Sequence, residues 1–312
     1  RGISKKSEKT LIQHREIFAK GAASTSAITH QESDAIWDAL LGFARYGFNR
    51  CLTGDTEILD ADTGQIVRLE DLYTGAARID RTVTCDTASL KLRAGGVSAV
   101  LNNGIKPVYR LTTALGRQIE STANHPFYTF DGWRLLEQLK PGDRIAVPRK
   151  LPVEGNTEWF DHEVIALGHL IAEGNLCHPH SVYYYTQDNT CLTDYVQAAE
   201  AFDNVQCSVA LHKGTHSVYA KRIDRDYEPG IVPWAKILGI WGKNARTKAL
   251  PAEVFSLRNR QIALLLGRLW AGDGHLGRRP RGAVSAYYAT SSEKLARQVQ
   301  HLLLRLGVVS RM

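Results

Sequence analysis

The sequence predicts three regions of different fold class: a short all-α segment, a mainly β module and an α+β domain. The predicted boundaries of these regions are 1–50, 51–150 and 151–312. The hydrophobic period changes from helical to alternating at Cys51 and becomes helical again in the last region. There, two apolar helices recur 100 residues apart, each ending on a carboxylate followed by Gly174 or Gly274. The repeat predicts two similar halves that pack helix against helix.

The composition is that of an ordinary globular protein. The 312 residues can form two or three modest domains, and 44% hydrophobic with 23% charged residues argues against disorder. Lysine and arginine total 39 against 32 aspartate and glutamate, and the net charge of +7 is consistent with a polyanionic partner. The five cysteines include no C-x-x-C pair, and no run of about 18 apolar residues occurs. We expect a reducing, cytoplasmic setting and no membrane partner.

Residues 1–50 are predicted to be helical. The stretch SEKTLIQHREIFAKGA places Leu11, Ile12 and Ile17 at helical spacing, and Ser33 is a suitable cap for a second helix. Two helices of that size do not form a domain by themselves. The chain starts without an initiator Met and stops on LLLRLGVVSRM, just after a periodic helix, so we expect a piece of a longer protein.

The fold classes of the other two regions are predicted from short runs of apolar and polar residues. Alternating runs such as EILDADTGQIVRL, PVYRLTT and RIAVPR are separated by turns rich in Gly, Asn, Asp and Pro, which predicts a mainly β module. Beyond residue 160, helical runs such as DHEVIALGHLIAEG and NRQIALLLGRLWAGDG alternate with strand-like runs such as SVYYYTQ and AVSAYYATS. This alternation predicts the α+β class.

Cys51 is the first residue of the β module, and that position gives its thiol a distinctive chemistry. The thiol can attack the carbonyl of Arg50 and convert the Arg50–Cys51 amide into a thioester, provided that the amide is strained and the departing nitrogen is protonated. The T-x-x-H pattern in IESTANHPFYT offers Thr122 to hold the peptide and His125 to supply the proton. The structural alternative makes Cys51 a small buried hydrophobe and His125 a core histidine.

Four segments resemble, in order and spacing, the N-terminal splicing blocks of inteins. They are CLTGDTEIL, NGIKPVYRLTT, TANHPF and GWRLLEQLKPGDRIAVPR, and they run from Cys51 to about Arg149. The resemblance implies a β-rich, horseshoe-shaped Hint-type fold in which Cys51 is the first nucleophile. It also implies that Thr122 and His125 activate the upstream amide and that splicing needs no cofactor.

The segment before Cys51 resembles a host protein. GFARYGFN is the most specific part of a similarity to the bacterial DNA polymerase III alpha subunit. The resemblance implies a host that works in the polymerase replication complex. It adds no activity of its own, because the segment holds no polymerase catalytic acid. A generic helical extension is the alternative.

The two apolar helices have chemistry at their ends. Small residues would let them approach closely; these are Gly168, Ala172, Gly267 and Ala271. The terminal acids Glu173 and Asp273 would then lie side by side and could hold Mg²⁺. The motifs LGHLIAEG and LLGRLWAGDG resemble those of LAGLIDADG homing endonucleases, a type of domain often inserted in inteins. The resemblance implies DNA hydrolysis that follows two-metal logic. Lys248 in TKALP falls where that family has a catalytic lysine.

Both motifs depart from the family pattern. Glu173 stands where Asp is usual but keeps a carboxylate. Arg268 stands where Gly is usual and puts the close packing of the helices in doubt. Plain core helices are the alternative for either motif taken alone.

Basic side chains in and after the strand-like runs are the predicted DNA contacts. HSVYAKRIDR alternates as a strand that could line a major groove and its phosphates. The predicted DNA-binding residues are Lys221, Arg222, Arg225, Arg278, Arg279 and Arg281. A solvated basic face is the alternative for any one of them. A set of cysteines and histidines suggests zinc, but its spacing fits no common site; the set is Cys177, His178, His180 and Cys191.

The combined prediction is a monomeric intein of a DNA polymerase III alpha subunit with an inserted homing endonuclease. It begins splicing by an N-to-S acyl shift at Cys51, ends before a C-terminal splicing block, and cuts double-stranded DNA at the intein-free insertion site with Mg²⁺. The first alternative is a Hint-type autoprocessing domain whose inserted region binds DNA or is an inactive remnant. The second is a polymerase-associated binding module without catalysis, for which Cys51→Ala would change nothing.

Overall fold

A computed structural model describes residues 51–278, 282 and 284–312, so the helices predicted for residues 1–50 lie outside the described part. The described chain divides into two compact units. The first unit holds the described residues up to Thr56 together with Arg68–Ala76 and Ala99–Val147. The second unit holds Glu57–Val67, Ala77–Ser98 and Pro148–Met312. The predicted boundary after residue 150 stays a prediction, because two earlier segments are grouped with the second unit.

The regular elements are short strands and six α-helices within the described residues. The strands are β1 (Glu57–Leu59), β2 (Ile66–Arg68), β3 (Arg81–Asp86), β4 (Lys91–Gly96), β5 (Tyr109–Thr112), β6 (Gln118–Ser121), β7 (Pro126–Thr129), β8 (Gly132–Leu135), β9 (Gly174–Asn175), β10 (Tyr183–Thr186), β11 (Val205–His212), β12 (Thr215–Arg222), β13 (Gly274–Arg278) and β14 (Val284–Tyr288). The α-helices are α1 (Leu69–Thr74), α2 (Asp161–Glu173), α3 (Asn189–Glu200), α4 (Ile231–Ile237), α5 (Asn259–Asp273) and α6 (Glu293–Arg305). None of these helices has the length and apolarity that crossing a membrane requires.

The first unit is built from two-stranded antiparallel sheets. β5 pairs with β6, and β7 pairs with β8. Isolated bridges extend them: Leu52 pairs with the buried Ser121, and Thr129 pairs with Ile145. Strands outnumber helices in the described part of the β module, which agrees with the predicted class, although the strands form several small sheets rather than one.

The second unit contains a four-stranded antiparallel sheet in the order β11-β12-β10-β9 and a separate β13-β14 hairpin. Lys213 and Gly214 connect β11 to β12 with φ of +49° and +80°. Positive φ at both central residues is typical of the two-residue turns whose twist suits a hairpin. The sequence run QCSVALHKGTHSVYAKRI forms this hairpin, and its second strand includes most of HSVYAKRIDR, which was predicted to be a strand.

The core of the second unit lies between helices and the four-stranded sheet. α2 packs along α5, and the side chains of Leu167 and Leu170 on one helix and Leu265 and Leu269 on the other are fully buried. Their three- and four-residue spacing puts them on one helix face. Asp188 begins α3 and Ser292 begins α6 by accepting a backbone N–H, which satisfies one free donor of each first turn; the donors are Cys191 and Leu295.

Residues near the start and the end of the second unit's large segment are neighbours. The N–H of Leu151 donates to the carbonyl of Leu304 at 3.2 Å, and Thr157 forms a parallel bridge with Leu257. The buried guanidinium of Arg305 donates to the carbonyls of Phe255 and Leu257 at 2.5 and 3.0 Å. These bonds join the last helix to the segments that lead into α2 and α5.

Candidate functional site

Cys51 is paired with Thr122 through two hydrogen bonds. The N–H of Cys51 donates to Oγ1 of Thr122 at 3.0 Å, and the N–H of Thr122 donates to the carbonyl of Cys51 at 3.0 Å. The first of these N–H groups belongs to the Arg50–Cys51 peptide. Because Thr122 is 5% exposed, water has little access to the hydroxyl that holds this nitrogen. The two residues that the sequence singled out therefore meet at the predicted scissile bond.

The turn between β6 and β7 orients the Thr122 hydroxyl. That hydroxyl donates to Oδ1 of Asn124 at 2.8 Å, which leaves its lone pairs to accept from Cys51. The N–H of His125 donates to the carbonyl of Thr122 at 2.9 Å, and its ring lies edge-on to Phe127 with centroids 5.4 Å apart. The turn thus carries Thr122, Asn124 and His125 together. The proton-donating role of His125 stays a prediction.

Two residues that the sequence did not single out contact the thiol. Nδ2 of Asn103 donates to Sγ of Cys51 at 3.4 Å, and Nζ of Lys106 lies 3.8 Å from the same sulfur. Both lie in the irregular segment before β5. Both residues belong to the motif NGIKPVYRLTT, in which polar residues precede an alternating strand. That motif is the sequence signal from which they could have been identified. A thiol sulfur is a weak acceptor, so two donors can hold it in one orientation.

The two acid-bearing helices approach closely at two glycines. A Cβ added to Gly168 would lie 2.5 Å from Cβ of Arg268, and one added to Gly272 would lie 2.6 Å from Cβ of Ala172. Nothing lies within 4 Å of the corresponding position at Gly267. The expectation of close packing is correct, but the assignment of Gly267 to the contact was wrong. Gly267 faces away from the other helix, and Gly272 makes the contact instead.

Arg268 does not keep the helices apart, contrary to the doubt that its size raised. Its guanidinium donates two hydrogen bonds to the carboxylate of Asp194 on α3, at 2.9 and 3.0 Å. The same carboxylate lies 2.8 Å from Nε2 of the buried His169 on α2. Only the first carbons of the Arg268 side chain occupy the helix contact, because its charged end is turned towards α3.

The acids stand at the last residue of each helix. Glu173 ends α2 and Asp273 ends α5, and each is followed by a glycine that opens a strand. Burial raises the pKa of Asp273 to about 6, and the negative charge of Glu173 adds to the shift, whereas Lys248 opposes it. The effect of the Glu173 charge on Asp273 supports the expectation that the two carboxylates are close.

Lys248 lies at this acid pair, as the sequence predicts. Its Nζ donates to the carbonyls of Ala172 and Gly174 at 3.2 and 2.8 Å, the two carbonyls that flank Glu173. The side chain is 7% exposed. Burial lowers the pKa of its ammonium, and the charges of Asp273 and Glu173 oppose that shift. A proton donor or acceptor is thereby held beside the carboxylates.

The two halves differ in one tyrosine that the sequence did not single out. Gly174 pairs with Tyr184 in β9 and β10 as Gly274 pairs with Tyr288 in β13 and β14. Tyr184 is buried in the core, whereas the hydroxyl of Tyr288 lies 3.4 Å from Oδ2 of Asp273. Burial raises the pKa of Tyr288, so it stays a hydrogen-bond donor at neutral pH. Tyr184 and Tyr288 therefore occupy equivalent register positions in the two halves.

The acid pair fits Mg²⁺ in its donor chemistry. Carboxylate oxygens are preferred Mg²⁺ ligands, and a cation at Asp273 would offset the burial and the Glu173 charge that raise the pKa of this carboxyl. Within the described residues no group of three or more His, Cys, Asp or Glu side chains could hold a metal.

The predicted DNA contacts are exposed where the structure describes them; these are Lys221, Arg222, Arg225 and Arg278. Arg279 and Arg281 lie outside the described residues. Lys221 and Arg222 end β12, and Arg278 ends β13. The cysteines and histidines considered for zinc form no metal-binding group in the described part; His178 instead packs on Tyr183, with centroids 4.9 Å apart.

Comparisons with known proteins show which families the chain is similar to. Residues 260–312 match the family described as LAGLIDADG-like domain. The chain is 39% identical over 273 residues to the replicative DNA helicase DnaB of Rhodothermus marinus, covering 84% of this chain and 28% of that protein. It is 30% identical over 271 residues to the protein RecA of Mycobacterium bovis, covering 84% of this chain and 33% of that protein. The chain thus spans about a third of the length of these relatives.

A solved structure of a DnaB intein from Synechocystis is 40% identical and covers 32% of this chain and 70% of that one, with a TM-score of 0.30. The family match defines the segment that carries Asp273 as part of a LAGLIDADG-like domain. Taken with the splicing-block motifs, the comparisons support an intein that carries a LAGLIDADG-like domain.

Proposed function

We propose that this chain performs the first step of autocatalytic protein splicing at Cys51. The observation that carries the proposal is the 3.0 Å hydrogen bond from the N–H of Cys51 to Oγ1 of Thr122, because this nitrogen is the leaving group of the reaction. The contacts of Asn103 and Lys106 with the sulfur support it, since the attacking atom is held as well as the leaving one.

The proposed step is an N-to-S acyl shift. The thiol of Cys51 loses its proton, the sulfur attacks the carbonyl carbon of Arg50, and a tetrahedral intermediate forms. The carbon–nitrogen bond then breaks, the nitrogen of Cys51 accepts a proton, and a thioester joins Arg50 to the sulfur. His125 is the proposed donor of that proton. Thr122 holds the amide nitrogen, and no cofactor takes part.

The test is release of residues 1–50 by an added thiol, which attacks the thioester. The unchanged chain should release this fragment on incubation with dithiothreitol, and Cys51→Ala should release none. Cys85→Ala is the matched control, because Cys85 is exposed and lies on β3, away from Thr122 in sequence. Equal release by wild type and Cys51→Ala would show that cleavage does not pass through this thiol.

We infer further that Glu173, Asp273 and Lys248 form a nuclease centre that cuts double-stranded DNA. The observation behind this second function is the placement of the Lys248 ammonium on the two carbonyls that flank Glu173, beside an acid of raised pKa. Glu173 and Asp273 would hold Mg²⁺, which would supply Lewis-acid stabilisation of the charge that develops on phosphate. Lys248 would stabilise the same negative charge or move a proton at the attacking water.

Two readouts test the nuclease. Glu173→Gln and Asp273→Asn should abolish Mg²⁺-dependent cutting of a duplex that carries the uninterrupted insertion site, and should leave DNA affinity largely unchanged. They should also remove any rise in unfolding temperature that Mg²⁺ gives the wild type. Glu253→Gln, at an exposed acid, is the control. A wild type that binds the insertion site but leaves it uncut in Mg²⁺ would favour the inert-insert alternative.

The distribution of relatives supports an inserted element. Two relatives with different names, a helicase and RecA, each match the same share of this chain, 84%, with only 28% and 33% of their own length. We propose a DNA polymerase III alpha subunit as the host, on the resemblance of GFARYGFN before Cys51. The names of the relatives make a replicative helicase the competing host. Reading the gene on both sides of the shared segment decides between them.

A further inference from the structure

A cavity of about 250 Å³ lies beside the segment that carries Lys248. Apolar side chains form one part of its lining: Leu238, Leu250 and Pro251. The other part includes Lys243, Thr247 and Lys294. A cavity that combines apolar walls with two ammonium groups suits a ligand that has an apolar part and an anionic part.

The two lysines have no carboxylate partner among the ion pairs of the described residues. Glu293, the sequence neighbour of Lys294, pairs instead with Arg297 at 2.7 Å. Lys236, close in sequence to Lys243, is paired with Glu228 at 3.0 Å. Two like charges around one cavity repel each other unless an anion lies between them.

The chain segment from Lys243 to Thr247 is held by hydrogen bonds within the segment. Oδ1 of Asn244 accepts from the N–H groups of Arg246 and Thr247 at 3.0 and 3.2 Å, and the N–H of Asn244 donates to the Thr247 hydroxyl at 3.0 Å. Leu250 and the side-chain amide of Gln298 exchange two hydrogen bonds, at 2.8 and 3.0 Å, which fix this segment on α6. The cavity is therefore preformed.

The cavity belongs to the same short segment as the candidate catalytic lysine. Lys243 and Lys248 are five residues apart, and five residues span at most about 18 Å. One strand of duplex DNA carries a phosphate about every 3.4 Å along the helix axis. The cavity and the candidate catalytic lysine can therefore contact the same duplex.

We propose that this cavity binds a sugar–phosphate unit of the DNA backbone next to the cleavage centre. The exposed Lys243 and Lys294 contact the phosphate oxygens, and the half-buried Leu238 contacts the deoxyribose. The inference rests on the proposed nuclease function and adds a binding site outside the predicted DNA contacts. It positions DNA without reading sequence, because it recognises only the backbone.

The test measures DNA affinity rather than cutting, in an Asp273→Asn background that is expected to bind DNA without cleaving it. The variant Lys243→Gln with Lys294→Gln is compared with Lys91→Gln with Lys140→Gln, which removes the same charge from exposed positions elsewhere. Fluorescence anisotropy gives the association constant between about 50 and 200 mM salt. The cavity variant should bind on the order of tenfold more weakly, and its salt slope should fall by about 1 to 2, for one or two lost phosphate contacts.

The expected loss is the same for the insertion-site duplex and for a scrambled duplex. A salt slope equal to that of the control pair overturns the proposal. Inorganic phosphate is the second probe: if it raises the unfolding temperature only when both lysines are present, while the DNA salt slope is unchanged, the cavity is a site for small anions and not for DNA. A wild type that binds no DNA at any salt concentration overturns both functions, whereas binding without cutting leaves this proposal standing.

Discussion

Arg268 donates two hydrogen bonds to the carboxylate of Asp194, although the first carbons of its side chain lie against Gly168 of the neighbouring helix. The guanidinium meets the carboxylate with Nε and Nη2 at 3.0 and 2.9 Å, a two-point geometry that an ammonium cannot reproduce. Through Asp194 the contact also includes His169. One ion pair therefore joins α3 to both acid-bearing helices.

Arg268→Lys should destabilise the protein, because it keeps the charge but loses one of the two bonds. We expect the free energy of unfolding to fall by about 1 to 2 kcal/mol, measured by urea titration. The control is Arg258→Lys, whose ion pair with Glu158 is about half exposed and should change stability by less than about 0.5 kcal/mol. Equal losses of stability at both positions would mean that the Arg268–Asp194 contact contributes no more than an exposed ion pair.

Alanine at the two contact glycines should push the acid-bearing helices apart. Gly168→Ala and Gly272→Ala place a methyl group 2.5 and 2.6 Å from a facing Cβ, so we expect a loss of about 1 to 3 kcal/mol for each. Gly267→Ala has open space around it and should instead gain up to about 1 kcal/mol from helix propensity. Urea titration of all three variants checks the sign. The same sign at all three positions would contradict this packing.

His169 should make stability depend on pH. Burial lowers its pKa below the ordinary 6.5, Arg268 acts in the same direction, and the bond to Asp194 opposes them. Asp194 accepts from Nε2, so a second proton must go on the buried Nδ1, which has no hydrogen-bond partner in the described part. Between the lowered pKa and 6.5 the unfolded chain binds more protons, so stability is lost as pH falls through this window.

The measurement is the free energy of unfolding of wild type and His169→Gln between pH 5 and 8. Each unit of difference between the folded and unfolded pKa contributes about 1.4 kcal/mol. The wild type should lose more stability below pH 6.5 than the variant does, and the difference between the two isolates this residue from the other histidines. Parallel curves would show that His169 titrates as it does in the unfolded chain.

Asn103 and Lys106 should speed the thioester step by holding the sulfur. Asn103→Ala and Lys106→Gln should each slow thiol-induced release of residues 1–50 by about tenfold, because a misplacement of about 1 Å can cost on the order of 100-fold in rate. Lys140→Gln is the control for loss of one exposed positive charge in the same unit. Gel densitometry over time gives the rates. Unchanged rates in both variants would show that these donors do not position the thiol.

The sequence was informative where side-chain chemistry is local or periodic. The helical periods predicted α2 and α5, and the short T-x-x-H turn placed Thr122 and His125 together. The contact of Thr122 with Cys51, 71 residues away, was predicted from the chemistry of the acyl shift and the resemblance to splicing blocks. Periodicity shows which residues share a helix, but not how two helices are rotated against each other. That is why Gly267 was assigned to a contact that Gly272 makes.

The partners that the sequence missed are separated by long stretches of chain. Asn103 lies 52 residues from Cys51, Arg268 lies 74 from Asp194, and Tyr288 lies 15 from Asp273 across a hairpin. No local pattern specifies such a pair, since each depends on the three-dimensional path. The position of Tyr288 beside Asp273 could have been predicted from the repeat, because Tyr288 pairs with Gly274 as Tyr184 pairs with Gly174.

The hydrogen bond between Leu151 and Leu304 brings together two points that lie far apart along the chain. A stretch that leaves and returns at one spot can be added to a surface loop, or removed from it, while the flanking residues keep their separation. The entropic cost of lengthening a loop rises only with the logarithm of its length, so a host tolerates such a gain far better than its size suggests. Because Leu151 and Leu304 are held together, the many residues between them add little to the distance that the flanking chain must bridge.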